Sequence, residues 1–227
     1  KGIQSWKSLI SEYSWEQNGN AIESYGGGYV FNSFLSTYPT VLPAVTLGGT
    51  NSYGILHLNK PFPQPSNVDA ANPGATYFLV FRVSDNHSAI MYSPSFFWDY
   101  SAGPFRWLST SFGVDSSFTR TSPDGSTRPH VVMAKYTFGH KDYSGGAHLN
   151  VNFNGTSGMD MDANLTSKAE YYSQPMLGRH AENTTWGAKN VYIYEIIMYP
   201  SALSAGDISN VEDYLISKYH SDFQFEG

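Results

Sequence analysis

Cysteine is absent from all 227 residues of the chain. Its absence removes disulfides, thiolate catalysis and Cys-ligated zinc together. A secreted animal domain of this size more often carries a bridge, so the composition leans toward a microbial or viral source. Charge is scarce too: Asp, Glu, Lys and Arg make up 14% of the chain, against roughly 25% in average soluble domains, which argues against a charged helical bundle. Lys and Arg number 13 against 19 Asp and Glu, a net charge of −6. Without a basic footprint the chain cannot displace the counterions of nucleic acid, and no Lys/Arg run addresses an anionic membrane. Long apolar runs are missing as well. None approaches the ~18 residues of a transmembrane helix, and no signal-peptide pattern is present at the start, so membrane insertion is not expected. No internal repeat and no charged linker divides the chain. A single domain over residues 1–227 is expected, with 220–227 as a tail or linker.

Aromatic and turn-forming residues fill the space that charge leaves. Aromatics reach 16%, with 17 Tyr, 14 Phe and 5 Trp beside 21 Gly, a mixture that suits β structure with polar, uncharged surfaces. Four N-x-S/T sequons, at Asn86, Asn154, Asn164 and Asn183, occur at about the frequency chance gives in so Asn-, Ser- and Thr-rich a chain, and carry no evidence of glycosylation.

Short strand patterns recur along the chain. "TYFLVFRV" (Thr76–Val83) is apolar on both faces and reads as a buried strand. In "HVVMAKYTF" (His130–Phe138), Val131, Met133, Lys135 and Thr137 alternate with Val132, Ala134, Tyr136 and Phe138. "AHLNVNF" places Leu149, Val151 and Phe153 on one face and Asn150 and Asn152 on the other, then meets Asn154-Gly155, a hairpin-turn signal. The four prolines of "NKPFPQPSNVDAANPG" (Asn59–Gly74) mark one long loop. Strands at this spacing indicate an all-β sandwich or jelly roll, not alternating βα units.

One segment changes period. "NVYIYEIIMY" reads as the last strand and runs directly into "PSALSAGDISNVEDYLISKYH", a helical pattern. Ser204 is a natural N-cap, and Asp207 three residues later supplies capping-box logic and a favourable first-turn charge. Ile208, Val211, Leu215 and Tyr219 form the dry stripe, and Asp207, Asn210, Asp213 and Ser217 the wet one. This is the one short C-terminal helix of the expected fold.

The segment "YEIIMYPSALSAGDISNVEDYLISKY" resembles the C-terminus of concanavalin A-like (laminin-G-like) jelly-roll domains. "PAVTLGGTNSYGILHL", "ATYFLVFRV", "LNVNFNGT" and "PMLGRH" resemble further strands of that superfamily, in its order, from about Pro43 to Tyr219. The resemblance implies two antiparallel sheets. It does not imply one activity, because the superfold hosts lectins, adhesion modules, polysaccharide hydrolases and lyases, and structural domains.

Catalytic chemistry finds little support. The related glucanases carry an alternating E-x-D-x-(x)-E on one strand, and this sequence contains no E-x-D; the lyase pattern and the G-x-S-x-G elbow are missing too. Glu195 sits in the last strand and reads as a structural carboxylate. For metals, "MDMDANLT" sets Asp160, Asp162 and Asn164 at alternate positions like the opening of a calcium loop, but Leu165 stands where the loop needs Gly and Tyr171 where it needs Glu. The same alternation describes a strand with a wet face. Ca²⁺ is thus the one cofactor for which the sequence offers ligands.

Sugar recognition stacks aromatic rings on pyranose faces while Asp, Asn, His or Arg read the hydroxyls. "FFWDYSAGPFRW" gathers Trp98, Asp99, Tyr100, Arg106 and Trp107 around a Gly-Pro turn, with Trp107 reading more readily as core. "FGHKDYSGG" adds His140, Asp142 and Tyr143, equally readable as a solvated turn, and Trp186 follows in "HAENTTWGAKN". The expectation is a non-enzymatic carbohydrate-binding or adhesive module, its partner a glycan or polysaccharide, on a secreted, cell-surface or virion-surface protein. Two alternatives stand beside it. One is a structural domain for protein–protein contact in a surface assembly, such as a capsid decoration, fibre or spike. The other is a polysaccharide hydrolase or lyase.

Overall fold

The computed structural model describes residues 5–7, 14–16, 30–32, 44–47, 56–58, 73–83, 88–93, 96–100, 105–109, 114–118, 130–138, 147–163, 176–178 and 191–220. Along them run the strands β1 (Ser5–Lys7), β2 (Ser14–Glu16), β3 (Val30–Asn32), β4 (Ala44–Leu47), β5 (Leu56–Leu58), β6 (Gly74–Val83), β7 (Ser88–Ser93) and β8 (Phe96–Tyr100). There follow β9 (Phe105–Ser109), β10 (Val114–Phe118), β11 (His130–Phe138), β12 (Ala147–Phe153), β13 (Thr156–Ala163), β14 (Met176–Leu177), β15 (Val191–Tyr199) and the helix α1 (Ala205–His220). The described chain is therefore mostly β, with a C-terminal helix.

At its heart is an antiparallel sheet of five strands in the order β13-β12-β11-β6-β15. β4 and β3 extend the pairing beyond β15. The remaining eight strands pair in the order β1-β2-β5-β14-β7-β8-β9-β10. The central position of β6 follows from its sequence. Ala75 to Phe81 are all buried, so both faces of the strand are dry and both edges are paired. β12 shows the half-buried pattern: Leu149, Val151 and Phe153 are 0–3% exposed, whereas Asn150 and Asn152 on the opposite face are only partly covered.

One face of this sheet carries α1. Ile208, Leu215 and Tyr219 join Phe78, Val80, Val131 and Met133 in one buried cluster, flanked by Tyr194, Ile197, Tyr199, Leu203, Val211 and Ile216. Each large side chain buried there contributes about 1.5–3 kcal/mol, which outweighs any local propensity of a helix this short. Phe78 and Tyr199 meet edge to face with ring centroids 6.1 Å apart. The opposite face is equally dry, with Leu79, Phe81, Val132, Ala134, Leu149 and Ile193 all buried.

The passage from strand to helix is fixed by a buried hydroxyl. Thr76 Oγ1 donates to the Ser201 carbonyl at 2.9 Å and accepts from the Leu203 amide at 3.0 Å, so one side chain satisfies two backbone groups of the turn. The helix then opens as its sequence indicates. The Asp207 amide donates to Ser204 Oγ at 3.2 Å, the Ile208 amide to the Ser204 carbonyl at 3.0 Å, and the Ser204 hydroxyl to Asp207 Oδ2 at 2.6 Å. Asp207 thus takes the hydroxyl proton of its cap, where a full capping box would reach the backbone N–H of Ser204.

Two irregularities decide which side chains face which way. In β15, Ile193 pairs with Phe81 and Glu195 with Val80, leaving Tyr194 as an extra residue. This bulge turns both Tyr194 and Glu195 toward α1 and restores Ile196 to the opposite face. In the β12–β13 hairpin, Asn154 (φ 49°) and Gly155 (φ 73°) form the two-residue turn with left-handed backbone at both positions. The turn is tied to β11: Asn154 N donates to the Val131 carbonyl at 2.7 Å, and Val131 N donates to Asn154 Oδ1 at 2.8 Å.

Candidate functional site

α1 covers only part of its sheet face. Register places Met133, Asn152 and Ser157 in one cross-strand row, then Lys135, Asn150 and Asp160 in the next row of the same face, then Thr137, His148 and Asp162. The last two rows are polar and partly or fully exposed, with the Asp162 side chain 98% accessible. They form a flat wet platform beside the helix.

His148 organises it. Its Nδ1 lies 2.9 Å from Asp162 Oδ1, and its Nε2 is in close contact with Asp160 Oδ1, which also accepts from Asn150 Nδ2 at 2.8 Å. An imidazole facing a carboxylate at each nitrogen must donate from both, which only the imidazolium does. The hydrogen bonds to Asp162 and then Asp160 accordingly hold the His148 pKa above its ordinary value, against a smaller opposing effect of burial. Side chains so paired present acceptor lone pairs and an amide in fixed positions, the groups that bind polyhydroxylated surfaces.

A bulge creates this platform. Counting back from the Asn154–Gly155 turn, Phe153 pairs with Thr156 and Asn152 with Ser157, but Val151 then pairs with Met159 and Gly158 is left over. Without that extra residue Met159 and Met161 would oppose Asn150 and His148, and the aspartates would fall on the dry face with Leu149 and Val151.

The β8–β9 hairpin assembles the aromatic residues expected from the sequence at the level of backbone register. Trp98 opposes Trp107, Asp99 opposes Arg106, and Tyr100 opposes Phe105. Trp98, Asp99, Tyr100 and Arg106 therefore belong to one two-stranded ladder. His140, Asp142, Tyr143, Trp186 and Asn164 lie outside the described residues.

Of the three residues that could open a calcium loop, Asp160 and Asp162 lie on β13, and Asn164 lies outside the described residues. His148 engages both carboxylates, and no group of three or more His, Cys, Asp or Glu there is arranged to hold a metal ion. Glu195 is part of a structural clamp, its Oε2 accepting from Lys218 Nζ and from the Tyr219 hydroxyl, each at 2.8 Å. His148 was not among the residues singled out in the sequence. The signal lay in the two D-x-D aspartates across an Asn-Gly turn, which only the bulge brings into line with it.

No family model matches the chain, and no curated protein matches it. Solved structures do. The binding domain of botulinum neurotoxin serotype D/C superposes with a TM-score of 0.55 at 13% identity, over 91% of this chain and 49% of that one. The receptor-binding domain of the botulinum neurotoxin C/D mosaic serotype gives 0.54 at 12%, over 94% and 51%. A binding domain of neurotoxin DC in complex with rat synaptotagmin II gives 0.53 at 12%, over 94% and 51%. The likeness is one of fold. The chain spans about half the length of these domains, and no described helix is long and apolar enough to cross a membrane.

Proposed function

We propose that the chain is a non-enzymatic carbohydrate-binding or adhesive module, built as a concanavalin A-like jelly-roll sandwich, of a secreted, cell-surface or virion-surface protein. In this reading the eight-stranded ladder is the layer that covers the dry face of Leu79, Phe81, Val132 and Leu149. The observation that carries the functional reading is the wet platform of His148, Asn150, Asp160 and Asp162, whose side chains are held in place by one another on an uncovered sheet face. Planar carboxylates and a carboxamide held in this way can accept from and donate to adjacent sugar hydroxyls at reduced ordering cost. Trp98, Tyr100, Asp99 and Arg106 on the β8–β9 hairpin supply stacking and polar contacts in the same reading, and His140, Asp142, Tyr143 and Trp186 are further candidates for that role. The likeness in fold to the receptor-binding domains of botulinum neurotoxins supports the class.

A glycan array, followed by calorimetry on any hit, tests the proposal. Retention of a defined glycan by the wild-type chain, weakened at least tenfold by Asn150→Ala or Trp98→Ala with folding intact, is the expected result. No retention across neutral, acidic and amino sugars would overturn it. The second reading, a surface interaction domain for a protein partner, is favoured by the neurotoxin domain solved with synaptotagmin II, and a partner retained independently of glycan would select it.

A further inference from the structure

Glu212 is the one acidic residue on the dry stripe of α1, four residues after Ile208 and three before Leu215, and only 5% of it is exposed. Its Oε2 accepts from Asn152 Nδ2 at 3.1 Å, while among the described residues its buried Oε1 has no hydrogen-bond partner. One turn further on, Ile216 closes over the β12–β13 turn so tightly that a Cβ on Gly155 would lie 3.2 Å from Ile216 Cδ1. The two contacts make Glu212 and Ile216 the points at which the helix holds the end of the hairpin.

We propose that this contact is a proton-set clasp: α1 grips the β12–β13 hairpin with Glu212 neutral, and ionisation of Glu212 loosens the grip. A carboxylate there would place charge on a buried oxygen that no donor among the described residues reaches, whereas the neutral acid keeps the Asn152 bond through its carbonyl oxygen at lower desolvation cost. The ionisable groups around it do not relieve that charge. Asp213 on the same helix repels it, and Asp207 adds like charge at the first turn. Lys218 is committed to Glu195 and Tyr214. On β11, Lys135 stands level with Asn150, two pair positions beyond Asn152. On β12 and β13, His148 is held by Asp160 and Asp162. On β15 the facing titratable groups are Tyr194, Glu195 and Tyr199, and on β6 Arg82 lies over the Tyr192 ring at 4.5 Å.

Burial, opposed in part by the Asn152 bond, raises the Glu212 pKa. A carboxyl whose folded pKa is raised stabilises the fold below its unfolded value, and that contribution is lost as pH climbs through the folded value. The clasp therefore tightens on acidification and slackens towards neutral pH.

Amide hydrogen exchange of α1 in the full chain, corrected for intrinsic exchange, reads the clasp between pH 4.5 and 8. In the wild type, opening of Val211–His220 should become more frequent as pH rises, by about tenfold for each unit separating the folded from the unfolded pKa. Glu212→Gln, which keeps the Asn152 acceptor and cannot ionise, should abolish the dependence and exchange like the acid wild type at every pH. A Glu212→Gln profile parallel to that of the wild type would overturn the proposal. So would a wild-type Glu212 carboxyl resonance that titrates in the ordinary range, a measurement that decides the matter even where the variant fails to fold.

Discussion

Glu195 offers the sharpest test of how this fold is held. Its Oε2 accepts from both Lys218 Nζ and Tyr219 OH at 2.8 Å, so removing it perturbs two partners at once. The two are not equal. Lys218 is 36% exposed and Glu195 23%, so solvent screens the ion pair and its share is about 0.2–1 kcal/mol. Tyr219 is 3% exposed, and a buried hydroxyl bonded to a charged acceptor is worth about 1.5–3 kcal/mol. Glu195→Ala should therefore destabilise the chain by about 2–4 kcal/mol, most of it from orphaning the Tyr219 hydroxyl. For a chain of this size that is a fall in Tm of about 5–10 °C. Tyr219→Phe removes the donor without opening a cavity and should cost less, about 1–2 kcal/mol. In the double variant no hydroxyl is left to orphan, so the two costs should fall short of additivity by about 1–3 kcal/mol. Urea unfolding of the four proteins measures this coupling.

Two results would refute the reasoning. One is additivity within about 0.5 kcal/mol. The other is a Glu195→Ala protein of unchanged Tm, for then the fold does not depend on the clamp. The clamp also has a pH signature. Burial foremost, then the Glu195 bond, raises the Tyr219 pKa; for Lys218 burial works downward but is overcome by the bonds to Glu195 and Tyr214. Both groups hold their protons more firmly folded than unfolded, so the stability they contribute is intact at neutral pH and is lost only in the alkaline range, as pH rises through the folded values. Tyr219→Phe should flatten that alkaline loss.

Gly155→Ala places a side chain at φ 73° and 3.2 Å from Ile216 Cδ1, and should cost about 1–2 kcal/mol from the left-handed backbone alone, read as a lower urea midpoint at unchanged m-value. Ser204→Ala removes the acceptor of the Asp207 amide and should cost about 1 kcal/mol, with faster amide exchange confined to the first turn of α1. His148→Gln should remove a stabilisation that the wild type shows below the ordinary imidazole value of 6.5 and loses as pH rises through the higher folded value; urea midpoints at pH 5 and pH 8.5 compare the two.

Elements whose patterning depends only on neighbours in sequence were legible in advance. The buried run of β6, the alternation of β11 and β12, the Asn154-Gly155 turn and the Ser204 cap all follow from local rules, and each has the expected burial or hydrogen bonds. What escaped is whatever depends on an extra residue. The bulge at Tyr194 turns Glu195 toward α1, and the bulge at Gly158 carries Asp160 and Asp162 to the side of His148. A period-2 reading carried through either point assigns every following side chain to the wrong face. Glu212 escaped for a different reason. Three apolar neighbours on its stripe bury it wherever the helix docks, and a carboxyl at such a position is visible as an exception only once the docking face is known.

The helix-bearing face of the central sheet is therefore divided by position along the strands. Rows through Phe78, Val80 and Met133 are apolar and lie under α1; rows through Asn150 and His148 are polar and lie beside it. Asn152 stands on the border, bonded to Glu212 of the helix, with Asn150 two residues away bonded to Asp160 of the platform. Since the two asparagines share one backbone, a shift of the helix is expected to reach the platform through Asn152. Loss of the Glu212 contact should therefore alter the exchange of the His148 and Asn150 amides along with those of α1, whereas a substitution on the opposite, dry face of β12, such as Val151→Ala, should act on stability with no selective effect on the platform. Such a dependence would follow from the spacing of Asn152, Asn150 and His148 along one strand.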